Sequence, residues 1–323
     1  MKKKINKINK CILWGIGNDY DLLLNQILFE IYKGNISVEA LVCRKGDKYC
    51  LSKDGFPIIY KEELNELDFD YLIITSGAFY NEIRDEALRL GIQANQVIDG
   101  RKFLLPLFDF SRYSQLIHDP VTILSDDCWG GYAYNRLGLL FSSPLINIYW
   151  DREEYANFIL NPLFYLSTEL TLVQEGNLQA GIYPIGQLGN TERNVNLKFV
   201  HNANFTEAKL QWDRRIKRIN VNNLFIKMGF TSSEKDKQLL LNSFENVPYN
   251  KILFYNGDEK IEGAFKTERF IWRQQQSKRI DYFNYNDFLR SSYYLDLDLL
   301  KLLTGDKNYS RENSKRLIGS FQY

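Results

Sequence analysis

Between Lys10 and Arg101 the chain alternates short apolar runs with amphipathic stretches, and this pattern narrows the fold more than any other feature. Cys11 to Ile16, Ile36 to Val42, Tyr71 to Thr75 and Gln96 to Ile98 read as strands, and Tyr20 to Tyr32 and Asn81 to Leu90 as helices. Each strand and helix must bury its apolar face, and the arrangement that does so for such an alternation is a parallel sheet covered by helices. An α/β fold is therefore expected. At 323 residues the chain exceeds the roughly 100–200 residues of one domain, so a second core is expected too.

The first strand runs into Gly15-Ile16-Gly17-Asn18-Asp19, which places Gly15, Gly17 and Asn18 where backbone amides at a helix start could cradle a phosphate. A third glycine is missing. At the end of the second strand, Arg44-Lys45-Gly46 stands where a ribose-binding carboxylate would be needed, and Arg44 suits a phosphate better. Two readings remain open: a pocket for a nucleotide, nucleotide sugar or coenzyme A, or a Rossmann-like module that only positions the second domain. The expected division is a Rossmann-like domain over residues 1–104 and a mixed α/β (α+β) domain over 105–323.

Composition excludes several classes. Forty-one basic against forty acidic residues leave a net charge of +1, so no global field draws the chain onto nucleic acid. Met1-Lys2-Lys3-Lys4 resembles a signal-peptide start, but the next apolar run is too short, and nothing reaches the roughly 18 apolar residues of a spanning helix. Cys11, Cys43, Cys50 and Cys128 form no CxxC pair, which speaks against disulfides and zinc, and no metal is expected. A cytoplasmic protein is expected, with the inner face of the membrane as one place of work.

Chemistry concentrates in Ser125-Asp126-Asp127-Cys128-Trp129-Gly130-Gly131, which comes after the apolar run Val121 to Leu124 and reads as strand, sharp turn and helix (Gly130 to Leu137). A cysteine in the first turn of a helix gains thiolate from unpaired amides, whereas neighbouring carboxylates oppose it. Two glycines in an opening turn cost on the order of 1 kcal/mol each, so close approach of a substrate or another backbone is expected there. His201, one of two histidines, ends the run Val195 to Val200 and could serve as base; His118 reads as a solvated histidine. The alternative is a structural Cys128 with Trp129 as a core anchor.

Further strands are expected at Leu145 to Trp150, Leu170 to Gln174, Lys251 to Tyr255 and Arg269 to Trp272, with Tyr183-Pro184-Ile185-Gly186 as a loop. Helices are expected at Glu153 to Phe164, Thr206 to Ile219, Ser233 to Phe244 and Asp287 to Leu303. In the second of these, Ala208, Trp212, Ile216 and Ile219 share a face, while Arg214, Arg215, Lys217 and Arg218 populate the rest. That surface is either merely solvated or an anion clamp, with Asn220 able to orient a ring or sugar hydroxyl.

As a set, Ser125 to Gly131, Leu137-Gly138-Leu139 with Ser143-Pro144, Tyr183 to Gly186, His201 and Trp212 to Asn220 resemble the bacterial family of unknown function numbered nineteen-nineteen, often labelled exopolysaccharide biosynthesis proteins. A looser similarity is to papain-like folds, where Asp-Cys opens a helix and histidine arrives on a later strand, as Asp127-Cys128 and His201 do.

The resemblance implies an enzyme of capsule or exopolysaccharide assembly. In that reading Cys128 takes an acyl group from acyl coenzyme A and passes it to a sugar hydroxyl. His201 serves as base, Asp127 assists, and amides from Trp129 to Gly131 hold the oxyanion. The acceptor is a sugar or lipid-linked oligosaccharide, touched by Asp126, Trp129, Gly130, Gly131, Arg214, Arg215, Arg218 and Asn220. The alternatives are a sugar-nucleotide enzyme, with Asp126 and Asp127 around a metal diphosphate, and a noncatalytic glycan-assembly module. Oligomeric state stays open.

Overall fold

A computed structural model describes residues 7–43, 51–105, 107–178, 181–231, 234–256, 261, 264–266 and 298–305. The described chain divides into two compact units, one up to Ile117 and one from His118. Arg44 and the expected strand Arg269 to Trp272 lie outside the described residues, as does most of the expected helix Asp287 to Leu303.

The first unit is built on a six-stranded sheet. Its elements are β1 (Asn9–Trp14), α1 (Asn18–Tyr32), β2 (Ile36–Cys43), β3 (Ser52–Lys53), β4 (Phe56–Tyr60), β5 (Tyr71–Ile74), α2 (Tyr80–Arg89) and β6 (Val97–Asp99), followed by α3 (Phe110–His118). Strand order is β3-β4-β2-β1-β5-β6, parallel except for the β3–β4 pair. The chain thus builds outward from β1 on one side and then returns to build on the other. Ile12, Val42, Leu72 and Ile74 are buried, as continuous apolar strands covered on both faces require. The start of α3 is tied to this unit: Glu30, 2% exposed, accepts from the Phe110 amide at 3.0 Å, and Phe110 packs edge-on to Tyr71 at 5.4 Å. The hairpin β3–β4 is an addition to the expected elements; its segments are half exposed and short, without a clear apolar period.

The second unit holds two sheets. In chain order it contains β7 (Thr122–Ser125), α4 (Trp129–Leu137), α5 (Arg152–Leu160), α6 (Pro162–Leu166), β8 (Thr171–Leu178), β9 (Gly181–Gly189) and β10 (Asn194–Lys198). Then come α7 (Phe205–Ile216), β11 (Leu224–Thr231), α8 (Lys237–Glu245), β12 (Asn250–Asn256), β13 (Ala264–Lys266) and the short α9 (Leu299–Leu303). A parallel sheet has the order β13-β12-β11-β7, and an antiparallel one the order β10-β9-β8. One core, including Trp150, Tyr155, Phe158, Val195, Trp212, Ile226 and Met228, joins residues from both sheets.

Four expectations are corrected here. Leu145 to Trp150 is not a strand but a turn, with an isolated bridge from Tyr149 to Lys198. The helix expected from Glu153 to Phe164 breaks at Asn161-Pro162, because proline cannot continue the ladder. Tyr183-Pro184-Ile185-Gly186 lies inside β9 rather than a loop, and β11 was not expected at all.

The outer side of β7 is closed by a side chain. The Tyr134 hydroxyl donates to the Val121 carbonyl at 2.7 Å and accepts from the Ile123 amide at 2.9 Å, satisfying groups that a missing neighbour strand leaves over.

Candidate functional site

At the carboxyl end of β7 the chain turns sharply into α4, and β11 lies alongside with Lys227 opposite Ser125. Parallel strands point their carboxyl ends at such crevices, where ligands bind in α/β sheets. The turn holds Asp126, whose side chain is fully buried. Its Oδ1 accepts from Lys227 Nζ at 2.8 Å, and its Oδ2 accepts from the Gly229 amide at 2.9 Å and from Arg152 Nη1. Lys227, 3% exposed, also donates to Asp127 Oδ2 at 2.6 Å and lies 5.5 Å from the Phe254 ring centre. The Tyr155 hydroxyl closes the cluster from below, at 2.7 Å from the Leu124 carbonyl and 2.9 Å from that of Lys227.

Burial works against every charge here, and the mutual pairing decides the outcome. Burial pulls the Lys227 ammonium down, but Asp126 and Asp127 outweigh it and hold its pKa above the ordinary lysine value. Desolvation likewise pushes Asp127 up, yet Lys227 and the Trp129 amide hold its carboxyl below the usual range. Arg152 is raised because Asp126 and Asp127 overcome its desolvation. Two cations thus answer two carboxylates. Asp127 is the member that reaches outward: 42% of its side chain is exposed, against 31% for Arg152.

Cys128 is the N-cap of α4 and half-buried, and its side chain makes no cap hydrogen bond. Burial first, and then the Asp127 charge, push its thiol up to about 11, with Lys227 only partly offsetting them. The thiol is therefore protonated near neutrality. Asp127 Oδ1 takes the Trp129 amide at 3.0 Å and the Ser125 hydroxyl at 3.1 Å, so the Trp129 amide is already occupied. The amides of Gly130 and Gly131 have no acceptor among the described residues, as the first turn of a helix leaves them. Gly130 also answers the packing question: a Cβ there would stand 3.2 Å from Ile123 Cγ2, so α4 lies close on β7. At Gly131 a Cβ would make only ordinary contact, 3.5 Å from Ile146. Trp129 is buried and stacks on Phe225 at 6.2 Å, the core anchor of this turn rather than a surface for a sugar.

None of the other expected site residues is hydrogen-bonded into this cluster among the described residues. His201 sits exposed in the turn after β10, and no hydrogen bond joins it to Cys128. The strand before it belongs to the antiparallel sheet, and the strand before Cys128 to the parallel one. Asn220 is engaged in structure: its amide group donates to Asp119 Oδ1 at 2.6 Å and to the Pro120 carbonyl at 3.0 Å, while its backbone amide donates to the Thr122 hydroxyl at 2.8 Å. It ties the entrance of β7 to that of β11. Arg215 is buried, whereas Arg214 and Arg218 are exposed.

In the first unit, Gly15 has a φ of +115°, and a Cβ there would lie 3.2 Å from Ser76 Cβ. Only glycine fits. Thr75 Oγ1 donates to the Gly15 carbonyl at 2.5 Å, and Gly17 caps α1 without a side-chain bond. Asn18 opens the helix. Asp19 and Asp21 occupy the first turn, where Asp19 Oδ2 accepts from the Gly77 amide at 2.7 Å and Asp21 pairs with Lys53 at 2.7 Å. The helix start is thus already supplied with negative charge.

Lys227 and Arg152, which complete the cluster, were not singled out in the sequence. The signal for Lys227 was a lone charge inside the apolar run Leu224-Phe225-Ile226-Lys227-Met228. Arg152 left none.

The second unit is thus an α/β domain with an ionic cluster at the carboxyl edge of a parallel sheet. The chain matches the model of the domain of unknown function DUF1919 over residues 99–304, which take in most of this unit and the end of the first, and it belongs to that family. Residues 7–98 match the C2185-like N-terminal domain. An uncharacterized protein of Haemophilus influenzae is 29% identical over 189 residues, covering 58% of this chain and 85% of that protein. Among the described residues no helix is long and apolar enough to cross a membrane.

Proposed function

We propose that the chain is a transferase of bacterial surface-polysaccharide assembly that moves an acyl group onto a sugar hydroxyl at the Asp126–Asp127–Lys227–Arg152 cluster. The observation that carries this reading is the buried Lys227 shared by two consecutive carboxylates, one of them open to solvent. Such a buried network contributes little net stability, and perturbed charges of this kind concentrate at functional sites. The open edge of Asp127 accepts the acceptor hydroxyl, the amides of Gly130 and Gly131 hold the oxyanion, and Arg152 faces the donor. The acceptor oxygen bonds to the acyl carbon, the donor's thiolate leaves, and the hydroxyl proton passes by way of Asp127 to solvent. The polysaccharide setting rests on the family resemblance of the motifs from Ser125 to Asn220.

A second reading passes the acyl group through Cys128, favoured by the half-buried sulfur beside the free glycine amides. One assay separates the two: transfer of labelled acetyl from acetyl coenzyme A to cell-derived oligosaccharide, with mass spectrometry of the protein. Direct transfer predicts that Cys128→Ser keeps activity within about threefold while Asp127→Asn loses on the order of 100-fold. A thioester on Cys128, absent in Cys128→Ser together with all transfer, favours the second reading. Polysaccharide of unchanged acylation in a deletion strain overturns both.

A further inference from the structure

The carboxyl end of α7 gathers positive charge without an answering carboxylate. Arg214 and Arg215 fill its last turn, and Lys217 and Arg218 come directly after. None of the four forms an ion pair among the described residues, and the nearby Asp213 is engaged with Lys209 at 3.3 Å. A helix C-terminus favours cations, which accounts for exposed arginines there. It does not account for Arg215. That side chain is only 9% exposed, yet its guanidinium has one acceptor among the described residues, the Ile146 carbonyl at 2.9 Å from Nη1. Arg214 and Arg218 press on it with like charge, and together with burial they pull its pKa down. Its other guanidinium nitrogens are not sealed off from solvent, so a dissolved anion can reach them.

We propose that Arg214, Arg215 and Arg218 form a binding site for a diphosphate group. Three guanidinium forks match a multiply charged oxyanion; a single carboxylate would be satisfied by one. The site borders the head of α4, because Ile146, whose carbonyl Arg215 holds, also lies against Gly131. The assignment stands without the acyl-transfer reading, since it needs neither donor nor acceptor.

Calorimetry of the full chain with inorganic pyrophosphate, uridine diphosphate and a short isoprenyl diphosphate tests it. Pyrophosphate is expected to bind saturably, and whichever ester binds at least tenfold tighter tells a nucleotide source from a lipid one; equal binding of all three leaves the diphosphate itself as the ligand. The exposed pair Arg214→Gln/Arg218→Gln, whose melting should match wild type, is expected to lose at least tenfold in affinity and to show a shallower salt dependence. Arg215→Lys keeps the charge and loses the fork, and is expected to lose affinity too. No saturable binding of any of the three, or equal affinity in the double variant, overturns the proposal.

Discussion

At the scale of single residues, the cluster beside Cys128 adds little net stability while intact, and breaking it is expected to be costly. Lys227→Met removes the one cation shared by Asp126 and Asp127 and leaves a buried carboxylate short of its partner, which is expected to cost about 3–5 kcal/mol, read from urea denaturation. The pH dependence has two limbs. Asp127 is depressed when folded, so its contribution is present above the unfolded carboxylate value and lost as pH falls through the lower folded one. Lys227 is raised, so its contribution is full below the unfolded lysine value and lost as pH rises through the higher folded one. Acid and alkaline melting curves should show both limbs in wild type and a smaller contribution to each in Lys227→Met, where Asp127 keeps only the Trp129 amide and Arg152. For the thiol, pushed up to about 11, iodoacetamide labelling at pH 8 should run on the order of 100-fold slower than a free cysteine. Asp127→Asn removes a charge that raises the thiol and should speed labelling. An equal rate in both proteins would contradict this electrostatic account. The turn at Ser125 to Gly131 was legible from its carboxylates and glycines. Lys227 and Arg152 were not, because they reach it across 101 and 26 residues, and no local pattern encodes such a meeting.

At the scale of elements, legibility tracks periodicity. β1, α1, β2, β5, α2 and β6 appear within two residues of their expected bounds, because each carries an unbroken apolar run or an amphipathic face. β9 was hidden by Pro184 and Gly186, residues that usually mark turns. β11 was hidden because a charge interrupts its run, and that charge is stabilised by Asp126 and Asp127, in the turn after β7 and distant in sequence. Tyr134→Phe tests an element directly. It strands the Val121 carbonyl and Ile123 amide of β7 while changing no volume worth noting, and is expected to cost about 1–3 kcal/mol in urea denaturation. A loss under about 0.5 kcal/mol would mean that water replaces the hydroxyl there.

At the scale of the whole molecule, two compact units meet at Ile117–His118, whereas the two family matches meet at 98–99, so the DUF1919 match also takes in the end of the first unit. An α/β architecture with a second core was readable from length and alternation alone. That the second unit holds two sheets was not, since the division depends on β7 and β11 pairing across the chain segments between them. Two cores predict two denaturation steps, seen as separate transitions by fluorescence of Trp14 in the first unit and of Trp129, Trp150 and Trp212 in the second. The phenol that covers the outer rim of β7 has a consequence for the molecule among its own kind. A bare rim is a template on which a stranger's backbone can zip up and seed a fibril, and one oxygen atom withholds that template here. Concentrated solutions of Tyr134→Phe are therefore expected to turn cloudy sooner than those of the wild type, read by light scattering.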